Sequence, residues 1–380
     1  MNIKMDYFDK INEFLEKNKE NIFSDLEKLV RAEASTSDIE ELGRTRKVLE
    51  EIIKDRIDLE CKEYIVPSGR NPISFQYGEG KEKLTIIGHY DTVCPIGSIP
   101  MKIVNNKFCG PGVLDMKGGI IQAIWAIKGY KDLEIEMEKA IQVIINGDEE
   151  IGSPESTEII CDFSKDSKAA LVCEPCVSNG NLKTGRKGVQ SFTVTLQGKS
   201  SHAGNDHKDG INAIEEMARE IQYFHSLTDY QRGTTVNVGA CQGGGKLNVV
   251  PDRATFGIDC RSITIDAGER VAKEIFDYTP TVKGIKREVK RNSGYPPMEQ
   301  KQENIKLFEK AKVIGTKLGL SFSHEFVGGG SDGNKISHLE IPILDGLGPR
   351  GDGAHTPDEF IYVSEYLPRI SLLSLLILEI

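Results

Sequence analysis

Leu84-Thr85-Ile86-Ile87-Gly88-His89-Tyr90-Asp91 is a short apolar run that stops at a histidine and a carboxylate with one residue between them. Apolar runs of about four to eight residues between polar or glycine-rich loops have the length of buried strands. The shape recurs along the chain. Ile141–Ile145 runs into Asn146-Gly147-Asp148-Glu149-Glu150, Ala169–Cys173 into Glu174, and Ile341–Leu344 into the glycine-rich loop that carries His355. Gly118–Tyr130, rich in Ile and Ala and holding Trp125, follows the loop Gly110-Pro111-Gly112 and Asp115. Buried strands alternating with helices predict an α/β sheet covered on both faces. Ligands of such sheets gather beyond the carboxyl ends of the strands, which is where the five polar segments are expected.

Between about Leu182 and Lys290 the pattern changes. Gln190–Gln197 alternates Phe192, Val194 and Leu196 with polar neighbours, the period of a strand buried on one face. After Asp209-Gly210, Ile211, Ile214, Met217, Ala218 and Ile221 form one apolar stripe of a helix. Strands near Thr234–Ala240 and Ala254–Arg261, a helix over Ala267–Tyr278 and a strand near Ile285–Val289 complete a βαββαβ order. That order predicts a two-layer domain at residues 182–290, inserted into a first domain made of 1–181 and 291–380.

At 380 residues the chain exceeds what one core usually organises, in keeping with two domains. Its formal charge of −10 argues against a nucleic-acid binder, which needs a basic face. The first 20 residues lack the apolar centre of a signal peptide, and Ile370–Ile380 is too short to span a bilayer. The expectation is a cytoplasmic protein without membrane contact, ending in a core helix. Eight scattered cysteines then read as reduced thiols, and Cys173-Glu174-Pro175-Cys176 as small residues packed around Glu174 rather than a redox motif.

The polar segments hold the inventory of a two-metal hydrolytic site: histidines, a carboxylate able to bridge, and a spare carboxylate for proton transfer. His89 and Asp91, flanking one residue after a strand, can face one cleft, and a carboxylate beside a histidine orients metal ligands. Asp115 alone would read as a helix-capping turn residue. Glu149-Glu150 alone would read as a solvated loop, but beside a metal one glutamate can ligate while the other takes a proton from water. His207, His225, His324 and His338 read as ordinary core or surface histidines.

Six ordered segments carry a resemblance that spans essentially the whole chain. They are Gly88–Val93, Gly110–Gly119, Asp148–Ser153, Glu174-Pro175, Ser201–Gly204 and Gly353–Pro357. Together they resemble the zinc exopeptidase and deacylase family that includes glutamate carboxypeptidase, acetylornithine deacetylase and succinyl-diaminopimelate desuccinylase. Gly328-Gly329-Gly330-Ser331-Asp332 and the inserted domain are most similar to glutamate carboxypeptidase. The resemblance implies a mixed sheet and two Zn(2+) per chain, with Co(2+) able to substitute. Asp115 would bridge, His89 and Glu174 would hold one metal, and Glu150 and His355 the other. Asp91 would orient His89, Glu149 would serve as general base, and the Asp115–Met116 peptide would be cis.

The inserted domain would be a lid through which a homodimer forms, with His202 stabilising the oxyanion in the partner's site. Asn248, Arg261 and Gly330 would bind the substrate, Arg261 taking its free carboxylate in a bidentate fork. The implied activity is hydrolysis of a C-terminal peptide bond or an N-acyl amino-acid amide. The alternatives are a deacylase of one biosynthetic intermediate or a non-catalytic metal-dependent binding protein. Tyr295 stands about where the glutamate-specific members carry an arginine, and the lid entry Leu182–Gly188 departs from theirs, so side-chain preference stays open.

Overall fold

The computed structural model describes residues 5–380. The chain forms two compact units. The first holds residues up to Gly185 with Gln300–Val327 and Ser331–Ile380, and the second holds Arg186–Glu299 with Gly328–Gly330. These divisions lie later than the expected limits of 182 and 290. The last strand of the second unit continues to Tyr295, because its polar end still pairs with Val189 and Gln190. The glycines 328–330 join the second unit because arginines of that unit hold them: Arg186 Nη1 donates to the Gly329 and Gly330 carbonyls, and Arg261 Nη1 to that of Gly328.

The first unit is built on a mixed six-stranded sheet. Its order is Lys62–Glu63, Ile73–Tyr77, Lys139–Asn146, Glu82–His89, Ser167–Val172, Ile343–Leu344. The last four run parallel, while Ile73–Tyr77 is antiparallel to Lys139–Asn146. All eight residues of Lys139–Asn146 are buried, as a strand covered on both faces requires. On one face Leu84, Ile86, Ile141, Val143, Ile145 and Leu171 share a core with helices Gly118–Asp132 and Val363–Glu379. Trp125 is fully buried there, and its indole N–H donates to Asp25, which also receives two hydrogen bonds from Arg56. On the other face Thr85, Gln142 and Ser167 satisfy one another, and Gln142 reaches the Phe163 carbonyl of helix Thr157–Ser164. A smaller antiparallel sheet joins Gly351–Asp352, Phe360–Tyr362, Lys107–Cys109 and Lys102–Val104. Among the described residues no helix is long and apolar enough to cross a membrane.

The second unit follows the βαββαβ order. Its antiparallel sheet runs Thr235–Gly243, Arg253–Ser262, Gly188–Gln197, Lys286–Tyr295. Phe192, Val194, Leu196, Phe256, Ile258 and Cys260 share one core with helices Ala213–Ser226 and Ile265–Asp277. Those helices are capped by Asn212, which accepts from the N–H of Ile214 and Glu215, and by Thr264, which accepts from Ala267. The buried stripe of the first helix differs from the apolar reading. Ala218 is exposed, while Glu216 and Glu220 are buried with Ala213, Met217 and Phe224. Specific partners make this possible: Glu216 accepts from the backbone of Thr281 and Val282, and Glu220 pairs with the buried Arg287 at 2.9 Å.

Candidate metal centre

Three parallel strands deliver side chains to one end of the main sheet. His89 is the last residue of its strand, Glu149-Glu150 begin three residues after Asn146, and Glu174 lies two beyond Val172. The other two segments are delivered by a different sheet. Asp115 and His355 follow Lys107–Cys109 and Gly351–Asp352 of the smaller antiparallel sheet. Two sheets therefore supply the site, the main one presenting His89, Glu150 and Glu174 and the smaller one Asp115 and His355.

The side chains converge on Asp115. His89 Nε2 lies 3.2 Å from Asp115 Oδ1 and 3.3 Å from Glu174 Oε1. His355 Nε2 lies 3.3 Å from Asp115 Oδ2 and 3.2 Å from Glu150 Oε2. Each trio has its donor atoms close enough to hold one ion, and Asp115 belongs to both. Each oxygen of Asp115 thus faces a different histidine. Glu150 Oε1 is buried without a hydrogen-bond partner, an orphan of the kind a cation would satisfy. His355 is half exposed and marks the open side of the site, whereas His89 is buried.

Local backbone explains the convergence. Gly112 has φ +70°, and a Cβ there would lie 2.5 Å from the Thr92 methyl. The Asp115–Met116 peptide is cis. At Gly119 a Cβ would meet the Cys173 carbonyl, so glycine lets the helix after Asp115 run against the strand end that carries Glu174. Cys173 and Cys176 are buried free thiols whose pKa values burial pushes up, and the other cysteines are free thiols as well.

Asp91, fully buried, ties the two halves together. Its Oδ1 accepts from Glu149 N–H (3.2 Å) and lies 3.3 Å from His89 Nδ1, while Oδ2 accepts from Glu150 N–H (3.2 Å) and Thr36 Oγ1 (2.9 Å). Asp148 is buried behind the glutamates and accepts from the N–H of Glu155 and Ser156. The Glu359 carboxylate accepts from the N–H of Gly112, Leu114 and Asp115. Thr36, Asp148 and Glu359 were not singled out in the sequence. Asp148 opens one of the quoted segments without a role assigned to it, and Glu359 is an acid four residues past His355 just before an apolar strand.

The charge balance of the site fits cations. As protein alone, its crowded carboxylates can be neutralised only by protons, and the groups shift that way. Burial pushes Glu149 well above the usual carboxylate range and also raises Glu150. Burial opposes a charge on His89, yet hydrogen bonds to Asp115, Asp91 and Glu174 carry its pKa well above normal. His355 is pushed up to about 10 by Asp115 and Glu150. Burial would raise Asp115 as well, but its two histidine partners hold it well below the usual range.

The remaining candidates lie in the second unit. Ser201–His202 pairs with Val249–Val250, and Ala203 N–H donates to the Asn248 carbonyl at 3.0 Å, so His202 and Asn248 sit side by side. His202 Nδ1 accepts from the N–H of Gly204 (3.1 Å) and Asn205 (3.0 Å), which places the proton of the neutral ring on Nε2. Arg261 pairs with Asp259 at 3.1 Å in addition to holding Gly328. A Cβ on Gly330 would lie 2.1 Å from the Tyr295 ring, so only glycine fits there. Of the histidines read as ordinary, His324 bonds Thr184 and His225 accepts from Val238 N–H, and none belongs to either metal-type cluster.

Comparison with known proteins agrees with this chemistry. Residues 85–379 match the profile of peptidase family M20/M25/M40, and the chain belongs to that family. It is therefore a metallopeptidase or amidohydrolase, an enzyme that hydrolyses amide bonds in a metal-dependent family. It is 27% identical over 372 residues to carboxypeptidase G2 of Pseudomonas sp. (strain RS-16), covering 94% of this chain and 89% of that protein. It is 28% identical over 315 residues to a succinyl-diaminopimelate desuccinylase of Nitrosospira multiformis, covering 76% of this chain and 81% of the relative. The crystal structure of aminopeptidase PepT from Bacillus cereus ATCC 10987 superposes with a TM-score of 0.80, 24% identity and coverage of 95% and 98%, a likeness of fold.

Proposed function

We propose that the chain is a dinuclear zinc hydrolase that removes the C-terminal residue of a small peptide or the acyl group of an N-acyl amino acid. The observation that carries this reading is Asp115, whose two oxygens each face a separate histidine–glutamate pair. His89, Asp115 and Glu174 would hold one ion, and Asp115, Glu150 and His355 the other. Zinc suits mixed imidazole and carboxylate donors, and cobalt is expected to substitute. Such ions, when bound, acidify water and polarise the scissile carbonyl.

Glu149 accepts the proton of the attacking water and delivers it to the leaving nitrogen. Asp91 keeps the His89 ring in place and fixes the backbone of Glu149. In the second unit, His202 with its proton on Nε2 is suited to donate to a developing oxyanion. Arg261 would exchange its bonds to Asp259 and Gly328 for the substrate carboxylate, with Asn248 and the Gly330 backbone beside it. A homodimer is supported by the edge strand Thr235–Gly243, largely exposed and free of charged residues, which offers unpaired backbone groups to a second copy. The unpaired thiols are consistent with a reducing, cytoplasmic setting.

Deacylation of an N-acyl amino acid is the second reading, favoured by the similarity to the desuccinylase and by Tyr295 packed on Gly330. The test is a panel of dipeptides, tripeptides and N-acyl amino acids offered to chelated and zinc-reloaded enzyme. Turnover should require added metal and a free carboxylate on the substrate. Full activity of chelated enzyme, or equal turnover of C-terminally amidated substrates, would contradict the reading.

A further inference from the structure

The Glu359 carboxylate is buried, and the loop that presents Asp115 gives it three backbone hydrogen bonds. Oε2 accepts from Gly112 N–H at 2.9 Å, and Oε1 from Leu114 at 2.8 Å and Asp115 at 3.0 Å. The Cys94 thiol, 4.0 Å from Oε2, is a fourth and weaker donor. A carboxylate is the one side chain that can answer such a pocket, because both of its ends only accept. The N–H groups of this tight turn lie outside any regular hydrogen-bond ladder, and buried N–H groups without partners are costly.

Position in the chain gives the arrangement a second meaning. Glu359 follows His355 by four residues and leads into Phe360–Tyr362, which pairs with Lys107–Cys109 just before the Asp115 loop. One carboxylate therefore locks the segment bearing His355 onto the segment bearing Asp115. Those two residues lie 3.3 Å apart, and the second trio of donors depends on that approach.

We infer that Glu359 is a positioning residue for the metal centre, setting Asp115 against His355 so that the second ion is held. The inference rests on Asp115 being the shared ligand of the proposed centre. Glu359→Gln keeps the volume but gives one end of the group two donors. The amide nitrogen must then oppose either Gly112 N–H or the paired N–H groups of Leu114 and Asp115. Loss of an outer partner of a metal ligand typically weakens metal binding about 10–100-fold.

The test is zinc affinity and stoichiometry by competition with a chromogenic chelator, read on the full chain. Leu373→Ala, a truncation in the buried face of the terminal helix, serves as a destabilised control without contact to the site. Glu359→Gln should bind its weaker zinc ion at least tenfold less tightly, while Leu373→Ala stays within threefold of wild type. Should Glu359→Gln prove insoluble, Glu359→Asp replaces it, because a side chain one methylene shorter cannot span all three N–H groups. Wild-type affinity in the glutamine variant, or in the aspartate variant that replaces it, overturns the inference while leaving the metal centre intact. An equal loss in Leu373→Ala overturns it too, by reducing the effect to general destabilisation. A wild-type chain that takes up no zinc removes both the inference and the centre it rests on.

Discussion

Replacing Asp91 by asparagine tests how the two halves of the centre are joined. Asp91 is fully buried and receives Glu149 N–H and Glu150 N–H at 3.2 Å and the Thr36 hydroxyl at 2.9 Å, with His89 Nδ1 3.3 Å away. Asparagine has the same shape but only one accepting end. With its nitrogen in the place of Oδ1, it faces Glu149 N–H and the His89 ring. With the nitrogen in the place of Oδ2, it faces Glu150 N–H, and only the Thr36 hydroxyl can turn to accept from it. Either orientation strands one buried N–H, a cost of about 1–3 kcal/mol. In the first orientation the His89 ring also loses its carboxylate partner and keeps only the Asp91 backbone carbonyl at 3.0 Å, and weakening such a brace lowers metal affinity about 10–100-fold, or about 1.4–2.7 kcal/mol. Zinc competition should therefore show a tenfold or greater loss in Asp91→Asn, and kcat at saturating zinc should fall because Glu149 has shifted. Thr36→Val removes one of the four contacts and leaves both backbone bonds, so its loss should stay within about threefold, near the ~1 kcal/mol of one hydrogen bond. Zinc affinity and kcat of Asp91→Asn within twofold of wild type would refute the reasoning.

Further tests address the other roles. Glu149→Gln should keep the fold and zinc content yet lose about 10²–10⁴-fold in kcat, and near-normal turnover would remove it as the proton carrier. Mixing His202→Ala with Glu149→Gln protein should restore part of the activity if subunits share a site; free subunit exchange without recovery counts against that arrangement. Arg261→Ala should lower kcat/KM roughly a hundredfold on free-acid substrates and little on amidated ones, as measured on matched pairs. In the second unit, burial pushes Glu220 up to about 7 despite its pairing with Arg287. A carboxyl raised above its unfolded value of about 4.5 stabilises the fold while protonated, and that contribution is lost as pH rises through about 7. Arg287→Met should therefore cost about 3–5 kcal/mol in denaturant titrations at pH 8 and clearly less at pH 5, where Glu220 is neutral. Equal losses at the two pH values would show that packing, not charge, dominates.

What could be read from the sequence followed from how each residue is satisfied. His89, Glu149, Glu150 and Glu174 stand out because apolar strands of the main sheet end beside them, and strand periodicity is recorded locally. Asp115 and His355 arrive from a second sheet of two- and three-residue strands, too short to show any period, so only the ordered set of motifs tied them to the rest. Thr36 and Glu359 act through bonds to groups 55 and up to 247 residues away, and a polar letter in a sequence carries no mark of such a partner. The same gap explains the second unit. Glu216 and Glu220 look like the solvated side of a helix, yet both are buried because Arg287 and the backbone at Thr281 and Val282 satisfy them. Apolar burial depends on the side chain itself and repeats with the backbone period, which is why it survives in a sequence pattern. Polar burial depends on a distant acceptor or donor, and in this chain the groups that shape the metal centre are nearly all of that second kind.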